Sequence, residues 1–136
     1  MGTFNNFSII KKADENFIDS LRIDPNKRNI KAYIGILKFV DKDTLQWVYY
    51  MPALDITGYG KTEEKASEML KFSIGELFNH LLSLSSKRLQ VELSNLGWKR
   101  NYFRNKEYSK SYVDIDGELQ NFNAIDNKVE RLSLVA

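Results

Sequence analysis

The stretch that decides the fold runs from Trp47 to Leu82, WVYYMPALDITGYGKTEEKASEMLKFSIGELFNHLL. It reads as strand, proline stop, short strand, glycine exit and long amphipathic helix. Leu45 to Met51 alternates, with Leu45, Trp47, Tyr49 and Met51 on one face and Gln46, Val48 and Tyr50 on the other. Pro52 has no N–H for a ladder, so it ends that strand or sits at an edge. Leu54 to Tyr59 is predicted as a third short strand, and Gly58 and Gly60 suit a sharp exit from it. Thr62 stands at the N-cap position, with Glu63 and Glu64 where a helix dipole favours negative charge. Ala66, Met69, Leu70, Ile74, Leu77, Phe78 and Leu81 then form one buried stripe at helical spacing. Gly75 interrupts the stripe at a cost of ~1 kcal/mol against alanine, which points to close packing there.

Upstream, Lys31 to Val40 is apolar on both faces. Ala32, Ile34 and Ile36 lie on one, and Tyr33, Leu37 and Phe39 on the other, as in a central strand. Asp41 to Thr44 is a polar hairpin loop that turns it back on Leu45 to Met51. Phe4 to Ile10 is read as a strand of poor alternation. Asp14 to Leu21 is read as one or two helical turns, and Ile23 to Asn29 as a loop around Pro25.

Downstream, Ser85 or Ser86 caps a second helix, Lys87 to Leu96. Gly97 fits its C′ position, and a Schellman end would let Trp98 pack on Leu93. Lys99 to Ile115 reads as one or two strands, Asp116-Gly117 as a turn and Glu118 to Asn127 as a loop. Val129 to Val135 alternates as a terminal strand with Leu132 and Leu134 on one face. Such a pattern would leave apolar side chains exposed unless the strand pairs with a sheet edge, in its own chain or in a second copy. The expected fold is α+β: an antiparallel sheet of about four or more strands, one long helix packed on it and a short second helix. Residues 1–136 are expected to form one domain.

Composition narrows the function classes. Twenty basic and 18 acidic residues give a net charge of +2, too little to argue for a general nucleic-acid binder. The absence of cysteine excludes a disulfide scaffold, a thiol nucleophile and a thiolate metal site, and fits a reducing compartment. No apolar run is long enough for a membrane span, and the first residues lack the pattern of a signal peptide, so a cytoplasmic location is expected.

No catalytic constellation emerges. His80 is the only histidine, near the end of the long helix, and a helix-surface role suits it better than a ligand role. Asp41, Asp43, Asp55, Glu63 and Glu64 would be the acids of a metal-dependent nuclease. Four of them, however, fall in the hairpin loop or the first helical turn, and only Asp55 lies beside apolar strand neighbours. Basic and aromatic residues alternate in Lys99 to Lys110. Lys99, Arg100, Tyr102 and Arg104 are the candidate contacts there for nucleic acid or a partner, though an ordinary solvated strand has the same composition.

Met51-Pro52-Ala53-Leu54 followed by Gly60-Lys61-Thr62-Glu63-Glu64-Lys65-Ala66 resembles the HicB-like antitoxin domain, which runs strand, hairpin and strand into a proline segment and a capped helix. The resemblance covers residues 31–82, with 83–136 as a C-terminal extension. It implies an incomplete ribonuclease-H-like platform without the acidic metal site, no catalysis, no cofactor or metal, and a protein partner, which in that family is a toxin. This chain departs from the family pattern at Asp55-Ile56-Thr57, where the family has proline, glycine and cysteine, and an extra lysine precedes Ala66. No second helix pair follows Gly97, so operator binding is not carried over. Three readings follow: a HicB-like interaction module, able to form a homodimer through its terminal strand; a small nucleic-acid-binding module; and a metal-dependent nuclease.

Overall fold

One strand, β3 (Asn29–Val40), runs the depth of the molecule and carries three neighbours. The computed structural model describes residues 7–10, 19–24, 26–100, 107–110, 125 and 128–136. Among them lie the further strands β1 (Ser8–Ile10), β2 (Asp19–Asp24), β4 (Trp47–Met51), β5 (Ile56–Gly60), β6 (Lys99–Arg100), β7 (Glu107–Lys110) and β8 (Glu130–Val135), with the helices α1 (Glu63–Ser83) and α2 (Ser86–Asn95). All eight strands join one antiparallel sheet. The fold is therefore α+β, a sheet packed by one long helix with a shorter second one.

β8 lies along one side of β3, pairing Tyr33 with Val135 through to Lys38 with Glu130. The other side is shared. β2 takes Asn29 to Tyr33, and β4 takes Leu37 to Val40. From there β7 and β6 extend the sheet beyond β2, and β5 extends it beyond β4. Between β2 and β4 the sheet forks at Gly35. Ala32 and Ala136 exchange backbone bonds, so even-numbered residues of β3 bond towards β8 and odd-numbered ones towards the fork. The Gly35 N–H accordingly points into the gap, where it donates to Oδ1 of buried Asp19 at 2.8 Å.

The core forms between the even face of β3 and α1. Ala32, Ile34 and Ile36 meet Leu21 and Ile23 of β2, Tyr49 and Met51 of β4, and Leu132 and Leu134 of β8. α1 covers them with Ala66, Leu70, Ile74, Phe78 and Leu81. Each such Leu, Ile or Phe contributes about 1.5–3 kcal/mol relative to exposure. Thr62 caps α1, its side chain accepting from the Lys65 N–H. α1 lies so close to β5 that a Cβ on Gly58 would fall 2.4 Å from the Ala66 carbonyl oxygen and 2.5 Å from the Leu70 nitrogen. Gly58 thus makes a close approach to the helix backbone, and Gly75 is buried within α1. Ser85 caps α2, and Gly97, at φ 89, ends it. Trp98 N–H bonds to the Leu93 carbonyl and Gly97 N–H to that of Ser94, the bond pair of a Schellman end.

Several expectations are corrected. Leu21 is not helical: Leu21 and Ile23 alternate with exposed Ser20 and Arg22, and ladder pairing with β3 outweighs the helical spacing of Leu21 with Phe17 and Ile18, which lie outside the described residues. The loop after it is accordingly shorter, for Ile23, Asp24 and Asn29 are strand residues. Leu45 leaves the β4 face. It sits at φ 57 in the hairpin loop, 64% exposed, with its N–H on the Asp41 carbonyl. β5 starts at Ile56, so Leu54 lies in the preceding turn, as does Asp55 at φ 53. Met69 stands outside the buried stripe and Leu77 is only partly buried. β8 is an interior strand between β1 and β3 of its own chain. The Asp116-Gly117 turn and most of the Glu118 to Asn127 loop lie outside the described residues.

Gly58→Ala should cost about 1–3 kcal/mol in chemical denaturation, because helix backbone, not a flexible side chain, occupies the space its methyl needs. A loss below about 0.5 kcal/mol would mean that α1 is not seated on β5 as described.

Candidate interaction surface

The proline turn between β4 and β5 is fixed from a distance. Ala53 and Leu54 are buried, and the Trp98 indole N–H donates to the Ala53 carbonyl at 2.9 Å. The segment after α2 thereby holds the turn that leads into β5. Asp55, at the turn's exposed corner, accepts from the Tyr50 hydroxyl at 3.4 Å.

Among the described residues, β5 is the last strand on its side of the sheet. Asp41 N–H bonds to the Gln46 carbonyl, and alternation from that pair sends the backbone groups of Val48 and Tyr50 towards β3 and those of Trp47, Tyr49 and Met51 towards β5. Gly60, Gly58 and Ile56 answer the latter, so the backbone groups of Thr57 and Tyr59 point off the edge. Among the described residues, the Tyr59 N–H donates to the soft acceptor Met69 Sδ, at 3.5 Å. Thr57 is exposed, and the Tyr59 side chain is 52% exposed on the sheet face away from α1. This edge can accept another strand.

At the opposite end of β4 a lysine sits on the apolar face. Lys38 follows Ala32, Ile34 and Ile36 in the period-two pattern, and its side chain is 6% exposed. Its Nζ contacts Glu63 Oε1 at 3.3 Å and Glu130 Oε2 at 3.0 Å, and lies 5.6 Å from the Trp47 ring and 6.0 Å from that of Tyr49. Burial lowers the Lys38 pKa, but the hydrogen bond to Glu130, the Tyr49 charge and Glu63 together carry it above the ordinary lysine value. Burial likewise pushes the Tyr49 phenol up, against the pull of the Lys38 charge and with help from Glu63 and Glu130. A nucleophilic lysine needs the opposite shift. Lys38 is a held cation that ties β3, β8 and the first turn of α1 together. Sequence reading missed it, although its place on the Ala32–Ile36 face was signal enough, since a lysine there must have partners.

The other candidates are dispersed. His80 Nε2 lies 2.9 Å from Glu92 Oε2, linking α1 to α2. Asp41 accepts from the N–H groups of Asp43 and Thr44 and from the Thr44 hydroxyl, closing the hairpin loop. Glu63 is engaged by Lys38, and Glu64 is exposed on α1. Asp55 belongs to a turn rather than a strand. Among the described residues no group of three or more His, Asp or Glu is placed to hold a metal ion. Lys99 is exposed on the two-residue strand β6, where Arg100 pairs with Tyr108 of β7. Tyr102 and Arg104 lie outside the described residues. None of the described helices is long and apolar enough to cross a membrane. Compared with known proteins, the chain matches no family model, no curated protein and no solved structure.

Both Lys38 and Tyr49 bind their protons more tightly folded than unfolded, so their contribution to stability is full below their ordinary values and falls as pH rises through the folded ones. The wild type should therefore lose more stability between about pH 9 and 11 than a Lys38→Met, Tyr49→Phe double variant. Parallel denaturation curves over that range would contradict the cluster's electrostatics.

Proposed function

We propose that this chain is a non-catalytic protein-interaction module of HicB-like type, the antitoxin of a toxin–antitoxin pair, and that it binds its partner by strand addition at the β5 edge. The observation that carries this reading is that edge, with the backbone of Thr57 and Tyr59 turned outward and Tyr59 exposed beside it. Main-chain bonds along such an edge supply affinity, and neighbouring side chains supply selectivity. The order β3, β4, proline turn, β5, capped α1 supports it further, because it follows the motif order of the family that residues 31–82 resemble. A chain without cysteine suits action in the cytoplasm.

The experiment co-expresses this protein with the product of the neighbouring reading frame. Growth rescue and a stable complex are expected. Thr57→Pro removes an outward N–H at an edge strand, where proline is tolerated. It should keep the melting temperature and lower affinity by about tenfold or more. A neighbour that is neither toxic nor bound would overturn the antitoxin reading, and full affinity in Thr57→Pro would overturn the docking edge. Steep salt-dependent affinity for nucleic acid, lost on changing Lys99 and Arg104, would favour the basic-aromatic segment as the working surface instead.

A further inference from the structure

We propose that the β2–β3 hairpin is a phosphate-binding surface, and that its outer face lies on the backbone of a nucleic-acid duplex without reading sequence. The inference does not rest on the antitoxin reading, and it uses neither the β5 edge nor the basic-aromatic segment that starts at Lys99.

The stretch from Arg22 to Lys31 holds four cations, Arg22, Lys27, Arg28 and Lys31, against one acid, Asp24, a larger net positive charge than the +2 of the whole chain. The chain's average charge hides this. All four cations are exposed, and among the described residues none of their side chains is ion-paired. Asp24 is buried and engaged in the turn, accepting from the Lys27 N–H at 3.3 Å. Arg22 pairs with Lys31 directly across the ladder, on the sheet face opposite the core residues Leu21 and Ile23. Lys27 and Arg28 stand in the turn at the hairpin's end. The neighbouring strands add one charge of each sign at the next register positions, Glu107 opposite Arg22 on β7 and Lys99 opposite Ser109 on β6.

Two of these placements cost the fold stability. Like charges directly opposite one another in a ladder repel. Arg28 sits at φ 48, in the left-handed region where glycine is at ease and a long side chain is strained. Neither cost is offset by an ion pair among the described residues, whereas a polyanion turns the same cations into a joined site. The kind of polyanion follows from what surrounds them. Among the described residues no large apolar side chain is exposed on β2, β3 or the turn between them. Single strands are held by stacking their bases on exposed aromatic rings, and membranes by apolar side chains set into the interface. A duplex keeps its bases stacked and presents a dense row of phosphates, about one charge per 1.7 Å of axis. Ile23 and Ile30 are buried, so the hairpin does not enter a groove as a free ribbon. Its exposed face rests instead on the backbone, whose contacts carry no sequence information.

Fluorescence anisotropy of the full chain with a labelled, mixed-sequence DNA duplex of about 20 base pairs, between about 50 and 200 mM salt, tests this. Binding is expected, with log affinity falling against log salt at a slope of about −3.6 for four phosphate contacts. Arg22→Thr combined with Lys31→Thr should keep or raise the melting temperature and flatten the slope by about 2. Arg28→Gly should raise the melting temperature, yet weaken binding and flatten the slope by about 1. Higher stability with lower affinity is a result that damage to the fold cannot give. No measurable binding at about 50 mM salt would overturn the proposal, as would a slope unchanged in both variants. Tighter binding to a single strand of the same length, or to phosphatidylcholine vesicles containing phosphatidylserine, would refute the duplex as the partner. Binding lost in Lys99→Gln but kept in the hairpin variants would move the site to the basic-aromatic segment and refute the hairpin.

Discussion

Everything in this sheet depends on one strand having two partners on the same side. β3 is twelve residues long, more than β2 or β4 alone can cover. Where one partner stops and the other has not begun, a backbone N–H faces the gap, and an unbonded amide inside a sheet is costly. Asp19 resolves this with a side chain instead of a strand, offering its carboxylate to Gly35. The β2 branch and the β4 branch can then separate without opening the ladder between them. The first branch leads to β7 and β6; the second leads through the proline turn to β5 and α1.

That division gives the molecule two kinds of surface. α1 seals the even face of β3, and its first turn is clamped through Glu63 to Lys38. The same helix stays close to β5 because Gly58 has no side chain. β5 and α1 are thus held together by the close backbone contact at Gly58 and by the pair of buried Lys38 with half-exposed Glu63.

Much of this was legible in the sequence because it is written in local periods. The two faces of β3, the Thr62 cap, the Ser85 cap and the Gly97 end all follow from a few neighbouring residues. What was not legible depends on distant pairing. Leu21 fits a helical pattern with Phe17 and Ile18, yet β3 recruits it into β2. Leu45 fits the β4 alternation, yet the Asp41-centred loop turns it out. Met69 fits the apolar stripe, but it lies at the margin where α1 overhangs β5, so its sulfur meets Tyr59 rather than the core. Asp55 looked like a strand acid because the turn after Pro52 is longer than its composition suggests. Of the candidate contacts, Lys99 and Arg100 lie on β6, with Lys99 exposed. The β5 edge and the Lys38 clamp come from strand order, which no single stretch encodes.

The fork at Gly35 is where the sheet is most sensitive to a single side chain. Asp19→Ala removes the carboxylate that bonds to Gly35 and leaves the rest of β2 intact. The expected stability loss is about 1.5–3 kcal/mol, the range for a hydrogen bond to a charged group, with faster amide exchange at Gly35 and along both branches. A loss below about 0.5 kcal/mol, with Gly35 still protected, would show that the two branches do not depend on Asp19 for their common strand.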